Sequence, residues 1–274
     1  GQLKDPRLAW GEGWATALGA MVFYPDDLYV DTQGAQQATA GIYYSIEDNA
    51  AEDAAPGWYS EASMVHVFYD LWDPASAGEP FDNVSVSAGA LYDVMVGFQK
   101  NTDAFTTLFS FVTGLLTADP SLEASVNALL AHRGVAAPIT NEFAFGGETN
   151  DGGVAGALPV YTILTINDPP STVTFTGGGV TPPELNSLQE NRFAVFEGDG
   201  GIVTLSAVAV GKAISLELYE RGVKKGDVSN ITGTGTVSLP AFQTTAGTIY
   251  SVLISSFDES STATYAATVN LSSP

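Results

Sequence analysis

Apolar positions along the 274 residues follow two rhythms, helical spacing up to about residue 145 and an alternating one after residue 158. In the first rhythm Leu8, Ala15, Leu18 and Val22 recur after Asp5-Pro6. That pair supplies an N-cap acceptor and a proline at the first turn, where no amide donor is needed. Ser60 predicts the cap of a second helix, with Glu61 in its first turn, Met64, Val65, Phe68, Leu71 and Trp72 on the apolar side, and Asp73-Pro74 as the stop. A third helix is expected over Val84 to Lys100 and a fourth over Asp103 to Thr117. The fifth starts at Asp119-Pro120, carries Glu123 near its positive end, and closes at His132-Arg133-Gly134. Tyr24 to Trp58 is acidic and weakly periodic, so it reads as loop-rich with room for short helices.

The second rhythm predicts eight strands: Val160 to Ile166, Thr172 to Thr176, Arg192 to Glu197, Ile202 to Ala207, Ile214 to Glu220, Thr234 to Leu239, Thr248 to Ser255 and Thr264 to Leu271. Turns rich in Gly, Asn and Asp separate them, and short strands at this spacing imply an antiparallel sandwich. Gly177 to Leu188, with Pro182-Pro183, reads as a long connection. The expected fold is therefore multi-domain α and β, with a mainly helical half-domain over residues 1–147, a linker over 148–157 and an antiparallel β-sandwich over 158–274.

Composition narrows the function. The chain has 31 acidic and 9 basic residues, a net charge of -22, and this field repels nucleic acid and anionic membranes while favouring cations. Nucleic-acid binding is excluded on that ground. Cysteine is absent, which removes disulfides, thiolate metal sites and a cysteine nucleophile. No stretch reads as a membrane span or a signal peptide. The Gly, Ser, Thr and Asn of the second half, with few Lys, read as an exported bacterial protein, secreted, periplasmic or on the cell surface. Gly1 in place of Met reads as a processed or engineered start.

The run Leu8-Ala9-Trp10-Gly11-Glu12-Gly13-Trp14-Ala15-Thr16, then Gly57-Trp58-Tyr59-Ser60-Glu61 through Asp70-Leu71-Trp72-Asp73, resembles the downstream part of secreted bacterial zinc metallopeptidases of the gluzincin type. The motifs cover roughly the first 75 residues. In those enzymes a helical H-E-x-x-H supplies two zinc ligands and the water-activating Glu, and a Glu in a run like this one supplies the third ligand. The resemblance implies that Glu12 is that ligand, with Thr16 one turn on orienting it. It also implies that the parent enzyme attacks a peptide carbonyl with zinc-bound water. No H-E-x-x-H occurs here, and the histidines are His66 and His132 alone. The chain is thus expected to be an inactive portion whose partners are an upstream catalytic segment and a peptide or protein substrate. Asn191-Arg192-Phe193-Ala194-Val195-Phe196, Ile214 to Tyr219 and Ala246-Gly247-Thr248-Ile249-Tyr250 through Phe257 resemble the pre-peptidase C-terminal domain, a β-sandwich appended to secreted peptidases.

Other residues offer chemistry beside plainer structural roles. The plainer reading of Glu12 is a Glu toward the N-terminal end of its helix, where the dipole suits it. His66 and Asp70, at i and i+4, can pair on a helix surface, and His66 is the candidate to stabilise an oxyanion, against a satisfied interface histidine. Asp26, Asp27 and Asp31, and a second cluster of Glu47, Asp48, Glu52 and Asp53, offer oxygens for calcium, although solvated acidic loops look the same. Nothing reads as a Ser-His-Asp set, a Walker loop or a dinucleotide fingerprint. The alternative to the peptidase is a non-catalytic surface protein that binds or adheres through the sandwich, with Tyr219, Phe242, Tyr250 and Phe257 as candidate aromatic contacts.

Overall fold

The computed structural model describes residues 3–24, 28–31, 42–46, 53–74, 79–135, 138–146, 148–177, 186–233, 235–257 and 262–274, with backbone alone for 28–31 and 42–45. Helix α1 spans Pro6–Phe23, and the Asp5 carboxylate accepts from the Arg7 amide at 2.8 Å as expected of its cap. α2 spans Glu61–Trp72 with Ser60 as its cap. α3, Ala88–Val94, starts later than the apolar pattern implied, because the Ser87 hydroxyl caps it. It runs into a π-helical turn over Met95–Gln99. α4, Leu108–Ala118, is closed at its start by Thr107 and Ser110. A 3-10 turn at Pro120–Leu122 leads into α5, Glu123–His132, which ends on Gly134 at φ +68°. Inside the loop-rich stretch, β1 (Leu28–Asp31) and β2 (Ile42–Ser45) pair antiparallel.

α1 turns the opposite way from the sequence expectation. Ala9, Gly13, Ala17, Ala20 and Met21 are its buried residues, whereas Leu18, Val22 and Phe23 are exposed. The cause is a close helix crossing: a Cβ on Gly13 would collide with the Met64 Cβ and lie 3.0 Å from the Val65 amide nitrogen. Small side chains face α2 so that the backbones can approach, and Trp10 and Trp14 flank the contact edge-on to Phe68.

The strands form two facing five-stranded sheets. One has the order β10 (Phe242–Gln243), β6 (Ile202–Val208), β12 (Thr264–Ser272), β4 (Ser171–Thr176), with β9 (Thr236–Ser238) also on β6. The other has the order β3 (Tyr161–Ile163), β5 (Asn191–Glu197), β11 (Ile249–Ser256), β7 (Ile214–Glu220), β8 (Val223–Asn230). Phe196, Leu216 and Val252 from one sheet meet Leu205 and Val269 from the other in a common core. All pairings within the two sheets are antiparallel except β3 with β5. Between those two strands the chain crosses to the other sheet to form β4, so it re-enters in the same direction.

β5 and β11 are buried on both faces. Ala194 and Phe196 point into the sandwich, while Phe193, Val195 and Leu253 belong to one continuous core with the helices. Residues 148–157 run through this junction, with Val154 and Ala157 buried. Asn150 ties it down: its amide donates to the carbonyls of Pro56 and Gly134, and its side-chain oxygen accepts from the Tyr59 hydroxyl at 2.6 Å. Buried Arg192 donates to the carbonyls of Thr174, Leu188, Asn191 and Ala155, which satisfies its guanidinium without a carboxylate. No helix among the described residues is long and apolar enough to cross a membrane.

Candidate functional site

Glu12 lies in the second turn of α1 and is exposed to solvent. It shares a helix face with Ala15, Thr16, Gly19 and Phe23, spaced three, four, seven and eleven residues on, and Phe23 is 66% exposed, while Leu18 and Val22, the latter 72% exposed, lie on the adjoining face. Gly11 and Gly19 on the same helix have nothing within 4 Å of where a Cβ would stand. A carboxylate thus sits on a stripe of apolar and small residues left bare. Across the α1–α2 crossing, Glu61 has its carboxyl pushed up, first by burial and then by the charge of Glu12. Thr16 is half-buried one turn beyond Glu12.

His66 is elsewhere in character. It is 1% exposed, and its Nδ1 donates to the Ile46 carbonyl at 3.0 Å. Nε2 is buried with no hydrogen-bond partner. Burial, then the nearby Arg133 charge, lowers its pKa to about 4, so the ring is neutral. The expected surface pairing with Asp70 is not made, because α2 is buried on all sides from Ser63 to Leu71. Asp70 instead accepts from the Arg133 guanidinium at 3.3 Å, and burial pushes its carboxyl up to about 7.

The acidic stretch also resolves differently from its composition. Asp53 accepts from the hydroxyls of Ser60 and Ser63, so it braces the start of α2. Asp26 and Asp27 lie outside the described residues, as do Glu47, Asp48 and Glu52, and of Asp31 the backbone in β1 alone is described. Among the described residues no group of three or more His, Asp or Glu side chains converges as a metal site. The residues present therefore do not by themselves make up a zinc set: Glu12 has a carboxylate neighbour, and the one histidine of α2 faces the interior.

Two clefts were not visible in the sequence. One, of about 450 Å³, opens between β8 and the broken edge formed by β9 and β10. Its wall includes Leu218, Leu239, Phe242 and Tyr250, and its rim Glu220, Asp227 and Lys225, the last paired with Glu220 at 2.9 Å. Of the four aromatic residues singled out in the sequence, Phe242 and Tyr250 line this cleft. The other, of about 380 Å³, lies where α1 meets β7 and β11 and is lined by Tyr219.

No family model matches this chain, and no curated protein does. Solved structures do share parts of it. The surface-associated copper-binding protein CorA of Methylomicrobium album BG8 is 11% identical, covering 42% of this chain and 98% of its own length, at a TM-score of 0.30. The pre-peptidase C-terminal domain of the Bacillus anthracis collagenase is 8% identical over 40% of this chain and 93% of its own, at 0.28. PliG of Aeromonas hydrophila, a periplasmic inhibitor of g-type lysozyme, is 11% identical over 41% and 96%, at 0.26. At these identities and scores the likenesses assign no family and no activity to this chain.

Proposed function

We propose that this chain is the C-terminal portion of an exported zinc metallopeptidase, to which it contributes Glu12 as one metal ligand, the imidazoles and the water-activating carboxylate coming from polypeptide beyond these residues. The observation that carries this reading is the bare face of α1. A helix packed closely through the Gly13–Met64 crossing presents one carboxylate at the edge of a bare apolar stripe, the arrangement expected where a further ligand-bearing helix packs. The strand-rich half is read as an appended domain of the pre-peptidase C-terminal type, acting outside the cytoplasm. No hydrolytic step is assigned to this chain alone, and it is expected to cleave no peptide. In a polypeptide extended toward its N-terminal side, zinc is expected at about one ion per chain. Glu12→Gln should then lower zinc affinity at least about tenfold and abolish peptide cleavage. Unchanged zinc content and activity in that variant would sink the assignment.

The cleft between β8 and β9–β10 favours a second reading, a surface protein that binds through its sandwich. Apolar walls beside a polar rim of Glu220, Lys225 and Asp227 suit a hydroxylated ring. A glycan array probed with the whole chain separates the two, since saturable binding lost in Phe242→Ala supports the second.

A further inference from the structure

The cleft at the junction of helices and sheet has features that neither reading uses. It is bounded by α1, the segment after the π-helical turn and the β7–β8 end of the sheet, and it is lined by Arg7, Trp10, Gly11, Lys100, Phe105 and Tyr219 among others. Its volume of about 380 Å³ lies within the ~300–1,000 Å³ common for ligand sites, and junctions between packed units are a preferred place for them. The π-helical turn Met95–Gln99 delivers Gln99 and Lys100 to its wall, and such turns are frequent at functional sites.

Its charge is unusual for so acidic a molecule. The chain has nine basic residues in all, and two of them, Arg7 and Lys100, line the cleft, with Arg221 beside it. Arg7 is held by Asp5 at 2.8 Å and lies over the Phe105 ring. Arg221 pairs with Asp103 at 3.5 Å. Lys100, which is exposed, has no carboxylate, carbonyl or ring partner for its ammonium among the described residues. The nearby anion Glu142 accepts from the Thr102 hydroxyl at 3.3 Å. With Arg7 matched by Asp5 and Asp103 by Arg221, Lys100 is the remaining cation of the lining, beside aromatic walls and with Glu142 and Glu220 adding negative charge around Asp103. Trp10 adds an indole N–H that is buried and unpartnered.

We propose that this cleft binds a compact apolar carboxylate, the chemistry of a peptide's C-terminal residue, with Lys100 meeting the carboxylate and Trp10, Phe105 and Tyr219 enclosing the side chain. The inference stands apart from the zinc reading, because binding is a property of this chain without metal. The test titrates the whole chain with N-acetyl-phenylalanine and with N-acetyl-phenylalaninamide, which has the same shape and no charge. The acid is expected to bind saturably and about tenfold more tightly than the amide, with the preference shrinking as salt is added. Lys100→Gln, an exposed change that leaves the fold untouched, should bring the acid down to the level of the amide. Gly11→Leu should weaken binding of both, since Gly11 lines the cleft and a Cβ there has open space within 4 Å for a side chain to narrow it. No saturable binding of the acid, equal affinity for acid and amide, or full binding in Lys100→Gln would each overturn the proposal.

Discussion

At the scale of single residues, burial governs what the titratable groups do. His66 has its pKa lowered to about 4, against about 6.5 in an unfolded chain. Above pH 6.5 it is neutral in both states and contributes nothing pH-dependent. As the pH falls from 6.5 toward 4, the unfolded chain takes up a proton that the native ring refuses, so stability is lost across that window. The loss approaches ~3 kcal/mol at about 1.36 kcal/mol per pKa unit. Asp70, whose carboxyl is raised to about 7, runs the other way, adding stability as the pH falls through 7 toward its unfolded value. The two partly cancel in the native protein. His66→Leu should therefore gain stability relative to the parent between pH 6.5 and 4, read as urea midpoints at several pH values. A constant difference across that range would show that His66 is not buried neutral. The sequence disclosed the spacing of His66 and Asp70 but not their burial, because spacing within one helix says nothing of what packs around it.

At the scale of elements, helix boundaries were legible wherever a side chain caps a turn. Asp5-Pro6, Ser60 and Asp119-Pro120 predicted starts that the structure keeps. Apolar pattern alone did worse. It extended α3 back to Val84, and on α1 it selected the face that carries Leu18 and Val22 as the buried one. What overrides it is the crossing at Gly13, where small residues are worth more than large ones. Gly13→Ala should separate α1 from α2 and cost roughly 1–3 kcal/mol or more, by overpacking a contact that has no slack. Gly19→Ala, a helix glycine in open space, should cost nothing and gain up to about 1 kcal/mol. Chemical denaturation of the two variants side by side checks the pair, and equal effects would refute the tight crossing. β8 escaped sequence reading for a related reason. Lys224, Lys225, Gly226 and Asp227 look like a turn, yet an edge strand can be this polar because one side has no neighbour to pair with.

At the scale of the whole molecule, the change from helical to alternating rhythm marks a change of architecture but not a gap in packing. β5 and β11 present one face to the sandwich and the other to the helices, and the Tyr161 hydroxyl accepts from the Phe105 amide at 2.8 Å across the junction. The signal for such sharing is in the sequence, where Phe193-Ala194-Val195-Phe196 and Val252-Leu253-Ile254 are unbroken apolar runs of the kind expected in strands buried on both faces, and an alternating reading passes over them. The two halves should unfold together. All four tryptophans, Trp10, Trp14, Trp58 and Trp72, lie in the helical half, Trp10 and Trp58 at its junction with the sheet, so their fluorescence reports on that half and its contact with the sandwich. Phe196→Ala, within the sandwich core, should lower stability by about 3–5 kcal/mol and shift the tryptophan transition with it. A tryptophan transition left where it was would show two independent units.

The account as a whole turns on Glu12 belonging to a zinc site completed from outside these residues. The most direct test is to read the coding sequence immediately upstream of Gly1. The account predicts an in-frame H-E-x-x-H within a few tens of residues, on a segment with helical apolar spacing that can cover Leu18, Val22 and Phe23. A start codon and export signal there, with no such motif between them and Gly1, would contradict it and leave the sandwich-binding reading in its place.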